Sequence, residues 1–167
     1  MTELAKNGKP IESVWDYPRP PRIEAVDHLV EVSHHGVIVA RSTACLRVLE
    51  TSQPPAYYIP SGDITLDLLR PSAGMTYCEW KGPASYADVV IPGADGETVV
   101  ADAAWTYPSP TEPFAALADH WAFYAQKMER CTVDGEAVDP NAGSFYGGWI
   151  TVNVTGPFKG APGTGHW

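Results

Sequence analysis

Two β-strands joined by a tight turn are predicted by the stretch Leu29-Val30-Glu31-Val32-Ser33-His34-His35-Gly36-Val37-Ile38-Val39-Ala40. The first part of this stretch, up to Ser33, alternates between apolar and polar side chains, which is the period of a half-buried strand. The His34-His35-Gly36 segment supplies turn residues, and the apolar run after it is typical of a second strand. The stretch therefore predicts a hairpin, and it makes a β fold the first expectation for the chain.

Similar short runs of β-forming residues follow along the chain. They are Leu46–Glu50, Ala56–Pro60, Met75–Lys81, Tyr86–Ile91 and Thr98–Trp105. Asp134-Gly135, between two further short runs, is the strongest two-residue hairpin signal in the sequence. Prolines and glycines lie between the runs rather than inside them, as is typical of sandwiches and barrels. Long alternation of strands and helices is missing, which argues against a parallel sheet.

One segment departs from the β pattern. Pro113–Trp121 is rich in alanine and begins with a proline suited to a first helical turn, so a short helix is predicted near residues 113–121. Gly36–Ala40 and Glu97–Ala101 also show weak sequence similarity to each other, and each segment enters a strand-like run. Two similar halves would make the fold pseudo-symmetric.

The two ends of the chain differ in composition from the middle. Three prolines between Tyr17 and Arg22 remove backbone donors, so residues 1–27 are predicted to form an extended lead-in. Residues 139–167 form a tail in which glycines are spaced by single aromatic residues, as in Tyr146-Gly147-Gly148-Trp149. Such a segment favours rings laid flat on another surface, of the same subunit or of a neighbouring one. A homodimer through Tyr146–Trp167 is therefore one expectation.

Composition argues against several classes of function. The 167 residues carry a formal net charge of −9 with scattered basic residues, so nucleic acid is not an expected partner. No run of about 18 apolar residues occurs and Met1–Pro10 is polar, so we expect a cytoplasmic protein with no membrane span and no signal peptide. The three cysteines form no Cys-x-x-Cys pair, which argues against a thiolate zinc site. No metal or cofactor motif is recognisable, and none is expected.

Chemically reactive side chains concentrate between Tyr77 and Tyr86. They include a thiol, a carboxylate and an amine among aromatic rings, in the order Tyr77-Cys78-Glu79-Trp80-Lys81-Gly82-Pro83-Ala84-Ser85-Tyr86. A second dense cluster, Ala103–Pro108, contains Trp105 and Tyr107. Such density indicates either a pocket or a well-packed edge of the core. Tyr86, Trp105 and Tyr107 are accordingly either core and rim residues or a stacking platform for a planar ligand.

Cys78 and Lys81 are the sharpest candidate pair. Their odd separation places them on opposite faces of a continuous strand, unless a turn at Gly82-Pro83 brings both to one site. A neighbouring lysine lowers the pKa of a thiol, which makes Cys78 a candidate catalytic residue. The alternative is a buried cysteine beside a lysine that pairs with Glu79 or Glu50. Lys81 is also a candidate to hold an anion.

Arg47, Glu50 and Tyr58 form a second candidate group at the end of an apolar strand. A partly buried carboxylate among rings has a raised pKa and can act as a general base, so Glu50 is a further catalytic candidate. The structural alternative is an ion pair that fixes a corner of the sheet. Both interpretations stay open for this group.

Several ordered motifs resemble those of a known family. They are Val48-Leu49-Glu50-Thr51, Pro54-Pro55-x-Tyr57-Tyr58-x-Pro60, Cys78-x-x-Lys81-Gly82-x-Ala84-x-Tyr86, Ala103-Ala104-Trp105-x-Tyr107 and Ala122-Phe123-Tyr124. This combination resembles the Domain of Unknown Function 427 family over roughly His28 to Val138, which sets the predicted core at 28–138. The tail around Tyr146 is similar to that of the longer, actinobacterial members.

The resemblance implies a compact, pseudo-symmetric β fold similar to the β-tent of small zinc proteins related to Rab exchange factors. The expected fold class is therefore mainly β, a β-tent or barrel-like sandwich with one short helix near 113–121. The paired cysteine ligands of those zinc proteins are missing here, so their metal is not carried over. The family is also labelled nucleotidyltransferase-like, but Ser61-Gly62-Asp63 precedes Asp67 without the closely spaced acidic pair that such enzymes use for magnesium.

A small-molecule-binding domain is the function that these residues favour. Its expected ligand is a small polar or acidic metabolite, held by Lys81 and Arg47 and stacked on Trp105 in an aromatic-lined pocket. The residues expected to bind it are Arg47, Glu50, Tyr58, Lys81, Tyr86, Trp105 and Tyr107. Two alternatives stay open: an enzyme that uses Cys78 as a redox or nucleophilic thiol, and a structural module assembled through the tail.

Overall fold

A computed structural model describes residues 3–143 and 145–167, which form β-strands and short 3-10 helices. The strands are β1 (Glu12–Ser13), β2 (Arg22–Ala25), β3 (Val30–His34), β4 (Val37–Ser42), β5 (Leu46–Leu49), β6 (Ala56–Pro60), β7 (Leu69–Cys78), β8 (Gly82–Ile91), β9 (Thr98–Thr106), β10 (His120–Phe123), β11 (Arg130–Val133), β12 (Glu136–Ala137), β13 (Asp139–Pro140), β14 (Trp149–Ile150) and β15 (Val154–Thr155). The 3-10 helices are Val14–Asp16, Ser61–Asp63, Leu66–Leu68 and Glu112–Leu117. The fold is mainly β, which confirms the prediction. None of the helices in these ranges has the length to cross a membrane.

Seven strands form the larger sheet in the order β2-β5-β6-β10-β9-β8-β7, and every neighbouring pair in it is antiparallel. Four more form a second antiparallel sheet in the order β12-β11-β3-β4. Among the described residues, the outer strands β2 and β7 do not pair with each other. The architecture is therefore a set of antiparallel sheets rather than a closed barrel.

The main core lies between these two sheets. Val30, Val32 and Val39 of the smaller sheet share one buried cluster with Ile59 and Phe123 of the larger sheet. Because successive side chains of a strand point to opposite faces, one face of each sheet is committed to this core. A shift of one residue would turn these apolar side chains outward, so the burial also fixes the register.

Both hairpin turns predicted from the sequence are confirmed. β3 and β4 join through His35-Gly36, and β11 and β12 join through Asp134-Gly135. All of these turn residues have positive φ, the backbone conformation of tight turns that match the twist of the strands. Gly and Asp reach this conformation more easily than branched residues, so local chemistry determines where the chain reverses.

The short helix predicted near 113–121 is present as the 3-10 helix Glu112–Leu117, which buries Phe114 and Leu117. It ends earlier than predicted, because His120–Phe123 forms strand β10. This strand pairs with β6 on one side and with β9 on the other. The hydrogen bonds to these distant partners outweigh the helical preference of the alanines.

Both ends of the chain add strands to the fold. β1 pairs in parallel with β15, and β2, which falls inside the predicted lead-in 1–27, is an edge strand of the larger sheet. Trp149 of the tail is buried, stacks on Tyr57 with ring centroids 5.2 Å apart, and donates a hydrogen bond to the Phe123 carbonyl. This part of the tail packs on its own subunit. The boundaries 1–27, 28–138 and 139–167 and the internal repeat stay predictions.

Candidate functional site

The β7–β8 hairpin brings Cys78 and Lys81 to the same site. Cys78 ends β7 and pairs with Gly82 at the start of β8, so the residues between them form the turn. Gly82 has a φ of +98°, which glycine adopts without strain. The chain thus reverses over residues 79–81, directly before the Gly82-Pro83 position at which the sequence allowed a turn. Both Cys78 and Lys81 line one cavity.

Hydrogen bonds from Thr111 hold this turn in place. The Thr111 hydroxyl donates to the Trp80 carbonyl at 2.6 Å, and its backbone N–H donates to the Lys81 carbonyl at 3.1 Å. The backbone that carries the Lys81 side chain is therefore fixed against the loop that precedes the Glu112–Leu117 helix. A fixed backbone lowers the entropy that is lost when the side chain engages a ligand.

The cavity has a volume of about 240 Å³ and lies on the side of the larger sheet opposite the main core. Alternation along β6 shows this arrangement, because Tyr57 faces the core between the sheets and Tyr58 faces the cavity. Most of the residues predicted from the sequence come together here. Those that line the cavity are Glu50, Tyr58, Cys78, Lys81, Tyr86, Trp105 and Tyr107.

Lys81 is the most buried charged residue of the cavity lining. It is 8% exposed, and its ammonium lies 5.5 Å from the centroid of the Tyr107 ring. Burial lowers its pKa, but Tyr58, Cys78 and Glu50 together raise the pKa by more, so the amine is charged at neutral pH. In residues 3–143 and 145–167 no salt bridge joins this ammonium to a carboxylate. A buried ammonium that forms no salt bridge within these residues favours an added anion.

Phenol rings and one indole form the inner wall. The Tyr58 hydroxyl is buried and accepts a hydrogen bond of 3.1 Å from Trp105 Nε1. Trp105 also contacts Tyr124, with ring centroids 4.6 Å apart, and Tyr124 is stacked on Tyr86. Burial raises the pKa of Tyr58, Tyr107 and Tyr124, so these phenols stay protonated at neutral pH. The wall therefore presents rings and neutral hydroxyls to a ligand.

The tail covers one side of this cluster. Gly147 lies flat on the Trp105 ring, since a Cβ atom at this position would clash with Cη2 and stand 2.6 Å from Cζ3. The Tyr124 hydroxyl donates to the Phe145 carbonyl at 2.9 Å, which holds the neighbouring backbone. Trp105 is consequently 7% exposed. It forms a wall of the cavity rather than the open stacking face that the sequence suggested.

The further lining residues that sequence reasoning missed include Tyr124, Gly147 and Lys159. Tyr124 belongs to one of the family-like motifs, and Gly147 belongs to the glycine-aromatic tail, so both positions carried a signal. Neither signal reveals the contact with Trp105, because that contact joins distant parts of the chain. Lys159 carried no signal of its own.

Residues 22–134 match the model of the family described as a domain of unknown function (DUF427). The chain belongs to the DUF427 family. This membership confirms the resemblance drawn from the motifs, while the actinobacterial type stays a prediction. No curated protein matches the chain. The matched range contains every predicted residue of the cavity, whereas Gly147 and the rest of the tail lie beyond it.

Arg47 lies outside the cavity of this DUF427 protein, contrary to the expectation that it binds the ligand. Because successive residues of β5 face opposite sides, Val48 lines the cavity and Arg47 points away from it. The guanidinium bonds to Glu24 at 2.7 Å and to Glu12 at 2.8 Å, with 8% of the side chain exposed. Burial lowers the pKa of Arg47, but Glu12, Glu24 and the Tyr57 phenol raise it by more. Arg47 thus joins β1 and β2 to β5.

Glu50 lines the cavity directly after β5 and is half-buried. The Arg19 Nε atom lies 4.0 Å from its carboxylate. Across the described part of the chain, no group of three or more His, Cys, Asp and Glu side chains is arranged to hold a metal ion. The charged chemistry of the cavity is therefore that of its lysines and glutamates.

Proposed function

We propose that the cavity binds a small organic acid, whose carboxylate or similar anionic group pairs with the Lys81 ammonium. The observation that carries this proposal is the burial of Lys81 at 8% exposure, without a carboxylate partner in the described residues. A buried ammonium that lacks a counter-charge is destabilised relative to a paired one. A ligand anion would supply the missing partner.

The other charges of the lining also support an anionic ligand. Glu50 and Glu79 are negative, but Glu50 is half-buried beside Arg19 and Glu79 is exposed. Charges interact more strongly in the poorly polarisable interior than at a hydrated rim, so the buried Lys81 has the greater influence on a ligand. Lys159 adds a second positive charge to the lining.

The walls limit the size and shape of the ligand. A volume of about 240 Å³ suits a compact molecule, such as one with a single ring, since drug-sized ligands occupy pockets of about 300–1,000 Å³. The half-buried Tyr86 ring offers a face for a planar group. Trp105 is already covered by Gly147, so it would contribute shape rather than stacking.

Benzoate and its neutral analogue benzamide form a matched pair of probes. We expect isothermal titration to show that benzoate binds at least about tenfold more tightly, because a hydrogen bond to a charged group contributes about 1.5–3 kcal/mol. At a hundredfold excess over its Kd, benzoate should stabilise the fold by about 2.7 kcal/mol and raise the Tm by about 5–10 °C.

Lys81→Met removes the charge and keeps most of the side-chain length. Lys127→Met is the matched control, because the Lys127 ammonium also lies near a tyrosine ring, 5.4 Å from the Tyr124 centroid, but donates to backbone carbonyls and does not line the cavity. We expect benzoate affinity to fall about ten- to hundredfold in K81M and to stay at the wild-type value in K127M. Equal affinities in K81M and wild type would reject the proposal. Failure of acetate, benzoate and phenylacetate alike to bind would reject it too.

A further inference from the structure

An apolar groove of about 600 Å³ adjoins the cavity. Its lining includes Pro18, Pro20, Ile23, Trp80, Pro113 and Phe114. These side chains are uncharged, and the only one with a hydrogen-bonding group is tryptophan. The two charged residues of the lining, Arg22 and Glu79, are exposed. Such a surface suits a hydrocarbon or aromatic group rather than a polar one.

The groove and the cavity meet at the turn between β7 and β8. Glu79 and Trp80 line both of them, and Lys81 follows directly in the chain. Trp80 is half-buried against the apolar cluster that forms the cavity wall, and its carbonyl is held by Thr111. A residue that lines the groove is therefore the chain neighbour of the lysine that is proposed to pair with the ligand.

From the lining residues that the cavity and the groove share, we infer that the ligand is amphiphilic, with its carboxylate at Lys81 and a hydrocarbon part lying past Trp80 in the groove. The inference rests on the proposed anion site and adds the chemical class of the ligand, an alkyl or arylalkyl carboxylic acid. Pro18 and Pro20 of the lead-in belong to this groove, although both precede the residues 22–134 that match the family. The lead-in thereby contributes to ligand selection.

A series of straight-chain acids from butanoate to decanoate tests the inference when it is titrated into the full chain. Each methylene that enters the groove should raise the affinity, by at most about fourfold, until the groove is filled. Decanol carries the same chain length without the anionic group. It should bind at least about tenfold more weakly than decanoate.

Pro113→Glu places a carboxylate in the groove at an exposed position at the start of a 3-10 helix. We expect this variant to bind butanoate with an affinity within about twofold of wild type. Its affinity should no longer increase with the chain length of the acid, because the new carboxylate would have to be desolvated beside the hydrocarbon. Pro92→Glu is the matched control, since Pro92 is exposed and lines neither the groove nor the cavity. If circular dichroism shows that P113E is unfolded, Pro20→Glu takes its place under the same criterion, because Pro20 is exposed and lines the groove but not the cavity.

The outcomes separate this inference from the proposed anion site. Equal affinities of wild type for butanoate and decanoate, or a P113E variant that keeps the full gain with chain length, would overturn the amphiphilic ligand and leave the anion site standing. Absence of binding by every acid, or wild-type binding by K81M, would overturn both. A gain with chain length that P113E abolishes and P92E retains would support the inference.

Discussion

The three cysteines differ in burial: Cys45 and Cys131 are buried, whereas Cys78 is partly accessible. Cys45 is 1% exposed and Cys131 is 5% exposed, and burial raises the pKa of these thiols to about 11 and about 12. Both are therefore protonated at neutral pH. Cys78 is half-buried, lines the cavity and lies close enough to Lys81 to influence the lysine pKa. The enzymatic alternative thus depends on this one side chain.

We expect iodoacetamide to modify Cys78 alone in the native protein. The thiolate is the reactive form, and Cys45 and Cys131 lack both charge and access. Intact-mass spectrometry with peptide mapping identifies the modified residue, and Cys78→Ser should leave the native protein unmodified. A Cys78 rate no faster than that of N-acetylcysteine at pH 7 would reject the enzymatic alternative. Comparable modification of Cys45 or Cys131 would contradict the burial argument.

Single residues of the site could be predicted from the sequence where a short segment around them is itself distinctive. Tyr58, Lys81 and Trp105 each belong to a short segment in which reactive and aromatic side chains are dense. Arg47 could not be placed, because its partner Glu12 is 35 positions away in the chain and approaches it only once β1 and β5 are in position. A sequence displays a charge, whereas the partner that neutralises this charge depends on the fold.

Elements of the fold could likewise be predicted where adjacent residues determine them, and not where they depend on distant parts of the chain. The turn at Asp134-Gly135 is predictable because two adjacent residues determine its backbone. Strand β10 is not, because its hydrogen-bonding partners β6 and β9 come from distant parts of the sequence. The tail is intermediate: its glycine-aromatic spacing predicts contact with some surface, and the fold specifies that Gly147 meets Trp105.

The tail element provides a test at this close contact. Gly147→Ala should destabilise the protein by about 1–3 kcal/mol, because the added methyl group overlaps the Trp105 ring and forces the tail or the ring to move. Gly62→Ala is the matched control, since a Cβ atom at Gly62 meets nothing within 4 Å. Its effect should stay within about 0.5 kcal/mol.

Urea unfolding followed by fluorescence measures both glycine variants, with the midpoint compared at constant m-value. Benzoate affinity of G147A should also fall, since the displaced tail opens the cavity beside Trp105. Identical unfolding midpoints for G147A and G62A would show that the tail does not pack on Trp105 in solution.

The whole molecule is completed by the two chain ends, which lie outside the residues 22–134 that match the family. β1 pairs with β15, and the Asn7 side chain donates to Glu136 and Asn153. The same ends supply Gly147 over the cavity and the proline-lined side of the groove. A homodimer through Tyr146–Trp167 stays a prediction.

Arg47 connects two strands of the lead-in to the larger sheet through its side chain, and its removal tests this contribution of the lead-in to stability. Arg47→Met keeps an apolar stem of similar length and deletes the charge that bonds to Glu12 and Glu24. Loss of one partner of a fully buried pair is destabilising by about 3–5 kcal/mol. Because Glu12 and Glu24 are 30% and 37% exposed and can rehydrate, we expect about 2–3 kcal/mol here.

Arg41→Met is the control for this substitution, because Arg41 forms only a solvent-exposed pair with Glu31 at 3.9 Å. Its unfolding midpoint in urea should stay within about 0.5 kcal/mol of wild type. Benzoate affinity of R47M should match wild type below the unfolding transition, since Arg47 faces away from the cavity. An R47M variant that loses benzoate binding while keeping its stability would restore Arg47 as a ligand contact and contradict the separation of the two faces of β5.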